Sequence, residues 1–155
     1  GDSVGDESVA FSLAYEFDPD NDTYRAKWAE INHRSGTEFL ADGEYADAAA
    51  AFKTAYDLYQ GNATYRDAAI NAFTLSGDES LGNHDYDDAV SAYRNAYDIG
   101  RGDDARLKLA SALNARGLSY LADGELRKAR EDFLAASRYD PNNSEYQDNY
   151  NTAAA

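Results

Sequence analysis

From Tyr45 onward the chain sets Tyr45, Ala48, Phe52 and Ala55 at intervals of i, i+3, i+7 and i+10, with Asp47, Lys53 and Asp57 between them. That spacing marks one stripe of a 3.6-residue helix, so the segment is predicted as an α-helix with one face turned inward. Between Thr64 and Gly82 a second stripe, Tyr65, Ala69 and Ala72 at i, i+4 and i+7, predicts another helix. Short polar stretches such as Asp42-Gly43-Glu44 and Asn83-His84-Asp85 interrupt the stripes. Helices joined by so short a connection run antiparallel.

Superposing the chain on itself shows that this pattern recurs. Gly36, Gly77 and Gly117 stand 41 and 40 residues apart, and each is followed four residues on by Leu40, Leu81 or Leu121. Then come Tyr45, Tyr86 and Leu126, after the turns 42–44, 83–85 and 123–125. Next are Ala48, Ala89 and Ala129, then Phe52, Tyr93 and Phe133, then Ala55, Ala96 and Ala136. Such a period marks stacked helix pairs, each burying its faces only against its neighbours. The small residues admit a neighbouring backbone, and the aromatic rings fill the space beside it.

The run Gly36…Phe39-Leu40…Gly43-Glu44-Tyr45…Ala48…Phe52…Ala55 resembles the tetratricopeptide repeat. So does Gly117…Tyr120-Leu121…Gly124-Glu125-Leu126…Ala129…Phe133…Ala136…Pro141. The likeness runs from about Phe11 to Asn143 and implies an all-α solenoid of antiparallel helix pairs. The family period is about 34 residues. The extra residues here lie between Ala55 and Gly77, which implies first helices lengthened by about 10 Å at their N-terminal ends. Asn32 stands where the family places a tryptophan. The predicted organisation is a single solenoid over 1–155: an N-terminal half repeat 1–19, full repeats 20–60, 61–101 and 102–141, and the start of a further repeat at 142–155.

The two half repeats form a complementary pair. Phe11, Ala14 and Pro19 match Phe133, Ala136 and Pro141 as a second helix without its first. Tyr146 and Tyr150 begin a first helix without its second. The candidate head-to-tail interface is therefore Val9, Phe11, Leu13, Tyr15 and Phe17 on one side, with Tyr146, Tyr150 and Ala153 on the other. A heterologous contact of this kind builds rings or filaments. Glu7, where the other repeats have Ala48, Ala89 and Ala129, predicts a different packing at the start of the first segment.

Three of the four loops entering a first helix carry an Asn-x-Ser/Thr acceptor, at Asn21, Asn62 and Asn142. Asn, Asp, Ser and Thr also cap helix N-termini, and capping alone accounts for such residues. N-linked glycosylation is the functional alternative and would place the protein outside the cell or on its surface, the cytoplasm remaining the other possibility. The remaining loop holds Arg101-Gly102-Asp103, read as a flexible loop with a capping Asp rather than an adhesion ligand.

Charge narrows the partners. Fourteen basic against 29 acidic residues give a net charge of −15, which repels nucleic acid and anionic lipid. No apolar run approaches the ~18 residues of a membrane span. With no Cys, disulfides are excluded. The two histidines, His33 and His84, have no adjacent ligand partner, and the Asp18-Asp20-Asp22 series lacks the Gly and Glu that a calcium loop requires, having Thr23 and Ala29 there. No catalytic residue, metal site or cofactor is expected.

Transferring the family's peptide groove marks His33, Thr37, Thr74, Asp78, Asn114 and Leu118. The set lacks the paired lysines of the family's carboxylate-binding mode, and Asp78 would repel a carboxylate. A groove ligand is therefore expected to be basic, aromatic or apolar. The expectation is a non-enzymatic scaffold that assembles head to tail through its open ends; the alternative is a monomeric adaptor holding a partner's peptide or helix in its groove.

Overall fold

A computed structural model describes the backbone of residues 3–155 and the side chains of residues 5–155; residues 1 and 2 of the expected half repeat lie outside it. The described residues form eight α-helices and no strand, an all-α helical repeat. The helices are α1 (Ser3–Phe17), α2 (Asp22–Ala41), α3 (Tyr45–Leu58), α4 (Ala63–Gly82), α5 (Tyr86–Gly100), α6 (Asp103–Ala122), α7 (Leu126–Tyr139) and α8 (Ser144–Ala154). They fall into two compact units, residues 1–72 and 73–155.

The first helices α2, α4 and α6 each span 20 residues, against 14, 15 and 14 for the second helices α3, α5 and α7. The surplus seen in the sequence thus lies in the first helices. The turns between the helices of a pair share one geometry. Gly43 and Gly124 adopt φ of 75° and 77°, and His84 holds the same left-handed conformation at 62°. In each turn the following amide donates back five residues: Glu44 N to Phe39 O at 2.9 Å, Asp85 N to Ser80 O at 2.8 Å, and Glu125 N to Tyr120 O at 2.8 Å. These bonds satisfy carbonyls that the helix end would leave without partners.

In the first compact unit the ring of Phe52 on α3 packs against Gly36 on α2, so close that a Cβ on Gly36 would meet the ring at 2.7 Å. Ala48 and Ala55, both fully buried, flank that contact. α1 attaches differently, because Glu7 occupies the alanine position of the other second helices. Its carboxylate accepts from Arg34 Nη2 on α2 at 2.7 Å. Arg25 covers the Tyr59 ring at 4.6 Å.

In the second compact unit the same contact recurs twice, Tyr93 against Gly77 and Phe133 against Gly117. A core of Val90, Tyr93, Leu109, Leu113, Ala136 and Tyr146 ties α5, α6, α7 and α8 together. Burying rings and branched side chains of this size contributes on the order of 2 kcal/mol each. A polar pair has replaced one alanine: where α3 and α5 carry Ala51 and Ala92, α7 carries Asp132, gripped by Arg116 of α6.

The loops entering α2, α4 and α8 close with one backbone bond each, from Asn21 N to Asp18 O at 3.1 Å, Asn62 N to Tyr59 O at 3.0 Å and Asn143 N to Asp140 O at 3.3 Å. Asn21 Oδ1 accepts from the amides of Thr23 and Tyr24 and caps α2. Asn62 Oδ1 accepts from the Tyr65 amide, and Asn143 Oδ1 from the Glu145 amide. The loop before α6 has shrunk to Arg101 and Gly102, which explains the shorter 40-residue step. Gly102 is its N-cap, and Asp103 lies inside the helix, paired with Arg106 at 3.4 Å. The expected flexible loop with a capping aspartate is thus a two-residue connection with Arg101 in the left-handed conformation, φ 53°.

Candidate functional site

The groove positions divide between the compact units. In the first, α2 presents His33 and Thr37. The His33 ring is half-buried between Phe52, 5.3 Å away, and Tyr65, 5.1 Å away. Thr37 Oγ1 donates to the His33 carbonyl at 3.0 Å, which spends its hydroxyl on the helix itself.

In the second unit Asp78 stands in a network that the sequence comparison missed. Tyr93 Oη donates to Asp78 Oδ1 at 2.6 Å, and Lys108 Nζ donates to the same oxygen at 2.8 Å. Lys108 lies on the lengthened part of α6, thirty residues from Asp78, and only the stacking of first helices brings the two together. The signal in the sequence was the phenol: Tyr93 replaces Phe52 and Phe133 of the other repeats, and a buried hydroxyl needs a partner. Burial, then the hydrogen bond to Asp78, push the Tyr93 phenol well above its usual range. Burial presses the Asp78 carboxyl upward, but its hydrogen bonds from Lys108 and Tyr93 together hold it below the usual carboxylate value. Asp78 is therefore not the lone repelling charge the sequence suggested, because Lys108 matches it.

A cleft of about 420 Å³ opens beside this network, lined by Asp78, Leu81, Gly82, Tyr93, Lys108 and Ser111. Along α6 the face continues through Asn114, whose Oδ1 accepts from Asn149 Nδ2 at 2.8 Å, to Leu118, an exposed leucine. Thr74 is half-buried on α4.

The expected end surfaces are unequal. On α1, Val9, Leu13 and Phe17 are 62%, 60% and 92% exposed, while Phe11 and Tyr15 are half-buried. On α8, Tyr146 and Ala153 are buried within their own unit, which corrects the expectation of an open face there. The reason is spacing: residues 146, 150 and 153 share one helix face, and that face lies on the apolar surface of α6 and α7. Tyr150 is half-buried against the cluster of Phe133 and Ala153. Gln147, Asp148, Asn151 and Thr152 are exposed. Of the three acceptor asparagines, Asn62 and Asn142 are exposed and Asn21 is half-buried.

Among the described residues no cluster of three His, Cys, Asp or Glu side chains could hold a metal ion, and no helix is long and apolar enough to cross a membrane.

Three copies of one helix–turn–helix, each locked by an aromatic ring on a glycine, define an all-α helical-repeat protein. The family profile described as tetratricopeptide repeat matches residues 110–143, from the middle of α6 to the loop before α8. The same lock and turn recur in the two preceding copies, so the match at 110–143 sits in an array of like units with lengthened first helices. Proteins of this kind generally serve as non-catalytic scaffolds or adaptors for protein–protein contacts. No curated protein matches the chain.

Similar solved structures include the first repeat domain of Spaghetti (RPAP3) bound to an HSP90 peptide, 18% identical over 81% of this chain and 90% of that one, with a TM-score of 0.32. The C-terminal repeat domain of a putative FK506-binding protein from Plasmodium falciparum is 21% identical over 86% and 91%, with a TM-score of 0.37. The repeat domain of Arabidopsis OM64 is 18% identical over 83% and 96%, with a TM-score of 0.34.

Proposed function

We propose that this chain is a scaffold whose copies associate end to end. The observation that carries the reading is the stripe of Val9, Leu13 and Phe17, three large apolar side chains at i, i+4 and i+8 that stand in water on α1. A contiguous apolar stripe on a soluble helix marks a contact surface. The charges favour a second copy as the occupant. α1 carries Asp6, Glu7 and Glu16 and no Lys or Arg, whereas a cleft of about 250 Å³ between α7 and α8 is walled by Arg127, Arg130 and Glu131 over a floor of Leu134, Tyr150 and Ala154. Seating a second-type helix there would continue the repeat from one chain into the next. An extracellular or cell-surface setting, with sugar on the loop asparagines, belongs to the same reading.

Light scattering over a concentration series, with electron microscopy of the same material, tests it. Mass should rise with concentration, and a Leu13→Asp/Phe17→Asp double variant should stay monomeric. A wild-type chain that is monomeric at every concentration removes the reading.

The cleft beside Asp78 and Lys108 favours a second reading, an adaptor for a partner's peptide or helix. There the bound segment would lie along Ser111 and Leu118 and present apolar or aromatic side chains. Binding of a fluorescent peptide that Leu118→Asp abolishes, with the chain monomeric, would replace the assembly reading by this one.

A further inference from the structure

Capping explains only part of the loop pattern, and the unexplained part is what an N-linked glycan requires. Asn21 and Asn62 cap their helices through Oδ1, and a cap needs no hydroxyl two residues on. Yet Thr23 and Thr64 stand at that position and Ser144 stands two residues after Asn142, and among the described residues their hydroxyls make no hydrogen bond. The last loop separates the two roles. The residue equivalent to Asn21 and Asn62, by the loop-closing backbone bond, is Asn143, and it is Asn143 that caps α8. Asn142, one residue earlier, is exposed and has no hydrogen bond among the described residues, yet it heads the acceptor triplet Asn142-Asn143-Ser144.

From these loops we infer that Asn142 and Asn62 carry N-linked sugar. This rests on the extracellular part of the reading above. Asn62 is exposed, and its Nδ2 has no partner while Oδ1 holds the cap, so both roles fit on one side chain. Asn21 is the weaker acceptor. It is half-buried, and its Nδ2 already donates to Asp18 Oδ2 at 3.4 Å. In the transfer, Nδ2 loses one proton and bonds to C1 of a sugar supplied on a polyprenyl phosphate carrier. The C1–O bond to the carrier breaks, and the phosphate leaves with the electron pair. Nothing is oxidised or reduced. The two-residue loop at Arg101 and Gly102 has no acceptor triplet.

The experiment is peptide mass spectrometry on the protein purified from its native source. Sugar-sized additions are expected on the peptides containing Asn142 and Asn62, with lower occupancy at Asn21. Bare masses at Asn142 and Asn62, or higher occupancy at Asn21 than at both, overturn the inference. A second measurement uses unglycosylated recombinant chain. Thr64→Ala should leave the melting temperature unchanged while Asn62→Ala lowers it; an equal fall in both gives the hydroxyl a structural role and overturns the argument. Bare chains that still assemble end to end would retire the sugar and leave the scaffold standing, whereas glycosylated chains that stay monomeric would do the reverse.

Discussion

Arg116 and Asp132 form a two-pronged ion pair inside the second compact unit, with Nε 2.8 Å from Oδ2 and Nη2 2.9 Å from Oδ1. The Asp132 side chain is 9% exposed and that of Arg116 is 21% exposed; a third bond runs from Nη1 to the exposed Asp87 at 2.9 Å. The hydrogen bond with Asp132, opposed by burial, raises the Arg116 pKa further above its already high range. Removing Asp132 leaves the partly buried Arg116 guanidinium with its bond to Asp87 alone. Asp132→Ala should therefore cost about 3 kcal/mol by chemical denaturation, although alanine is what the other two repeats carry there. An Arg116→Leu/Asp132→Ala double variant should recover most of that loss, to within about 1 kcal/mol of the wild type. Equal losses in the single and double variants would mean that shape at residue 132, and not charge, is what matters.

Gly77 is fixed by a ring instead of by a turn. A methyl there would sit 2.5 Å from the Tyr93 ring, a carbon-to-carbon distance that forces the ring or a backbone to move. Gly77→Ala should destabilise by about 3 kcal/mol. Gly82, at the end of the same helix with nothing within 4 Å of an added Cβ, is the control: Gly82→Ala should be neutral or gain about 0.5 kcal/mol. Thermal melts of the two variants should separate clearly.

His84 holds the left-handed conformation that Gly43 and Gly124 supply in the other turns. A side chain costs roughly 1 kcal/mol in that region. The compensation is small, an exposed contact of Nδ1 with Tyr86 Oη at 3.1 Å. His84→Gly should raise the melting temperature by a few degrees, worth about 0.5 kcal/mol. A fall would show that the Tyr86 contact outweighs the backbone strain.

The Asp78 carboxyl predicts an acid limb. Its folded-state pKa lies below the ordinary 3.8, so its contribution to stability is complete above that value and disappears as pH falls through the lowered folded value. Stability should therefore decline as the solution is taken below about pH 4, and Asp78→Asn should flatten that decline while lowering stability at neutral pH. Denaturant midpoints of the two proteins between pH 2 and pH 7, overlaid, provide the check; parallel curves would place the acid sensitivity elsewhere.

Much of this architecture was written in the spacing of residues. The stripe of Tyr45, Ala48, Phe52 and Ala55, the repeated glycines and the three short turns are local signals, and local signals survive without knowledge of the neighbours. The loop caps were legible for the same reason, except at residue 142, where two adjacent asparagines compete and only the backbone bond from Asn143 to Asp140 shows which one caps. The candidate groove was legible as positions and not as chemistry. Asp78 read as a bare negative charge because its partner Lys108 is thirty residues away.

Sequence alone determined the helix pairs and their register, since a period of forty-odd residues with fixed apolar offsets can bury its faces in few ways. Tertiary structure alone decided which apolar residues remain in water. Tyr146 and Ala153 look as sticky as Leu13 and Phe17 when read along the chain, yet the first two are covered by α6 and α7 while the last two face solvent. Burial is a property of what lies on the other side of a side chain, and no stripe states that by itself.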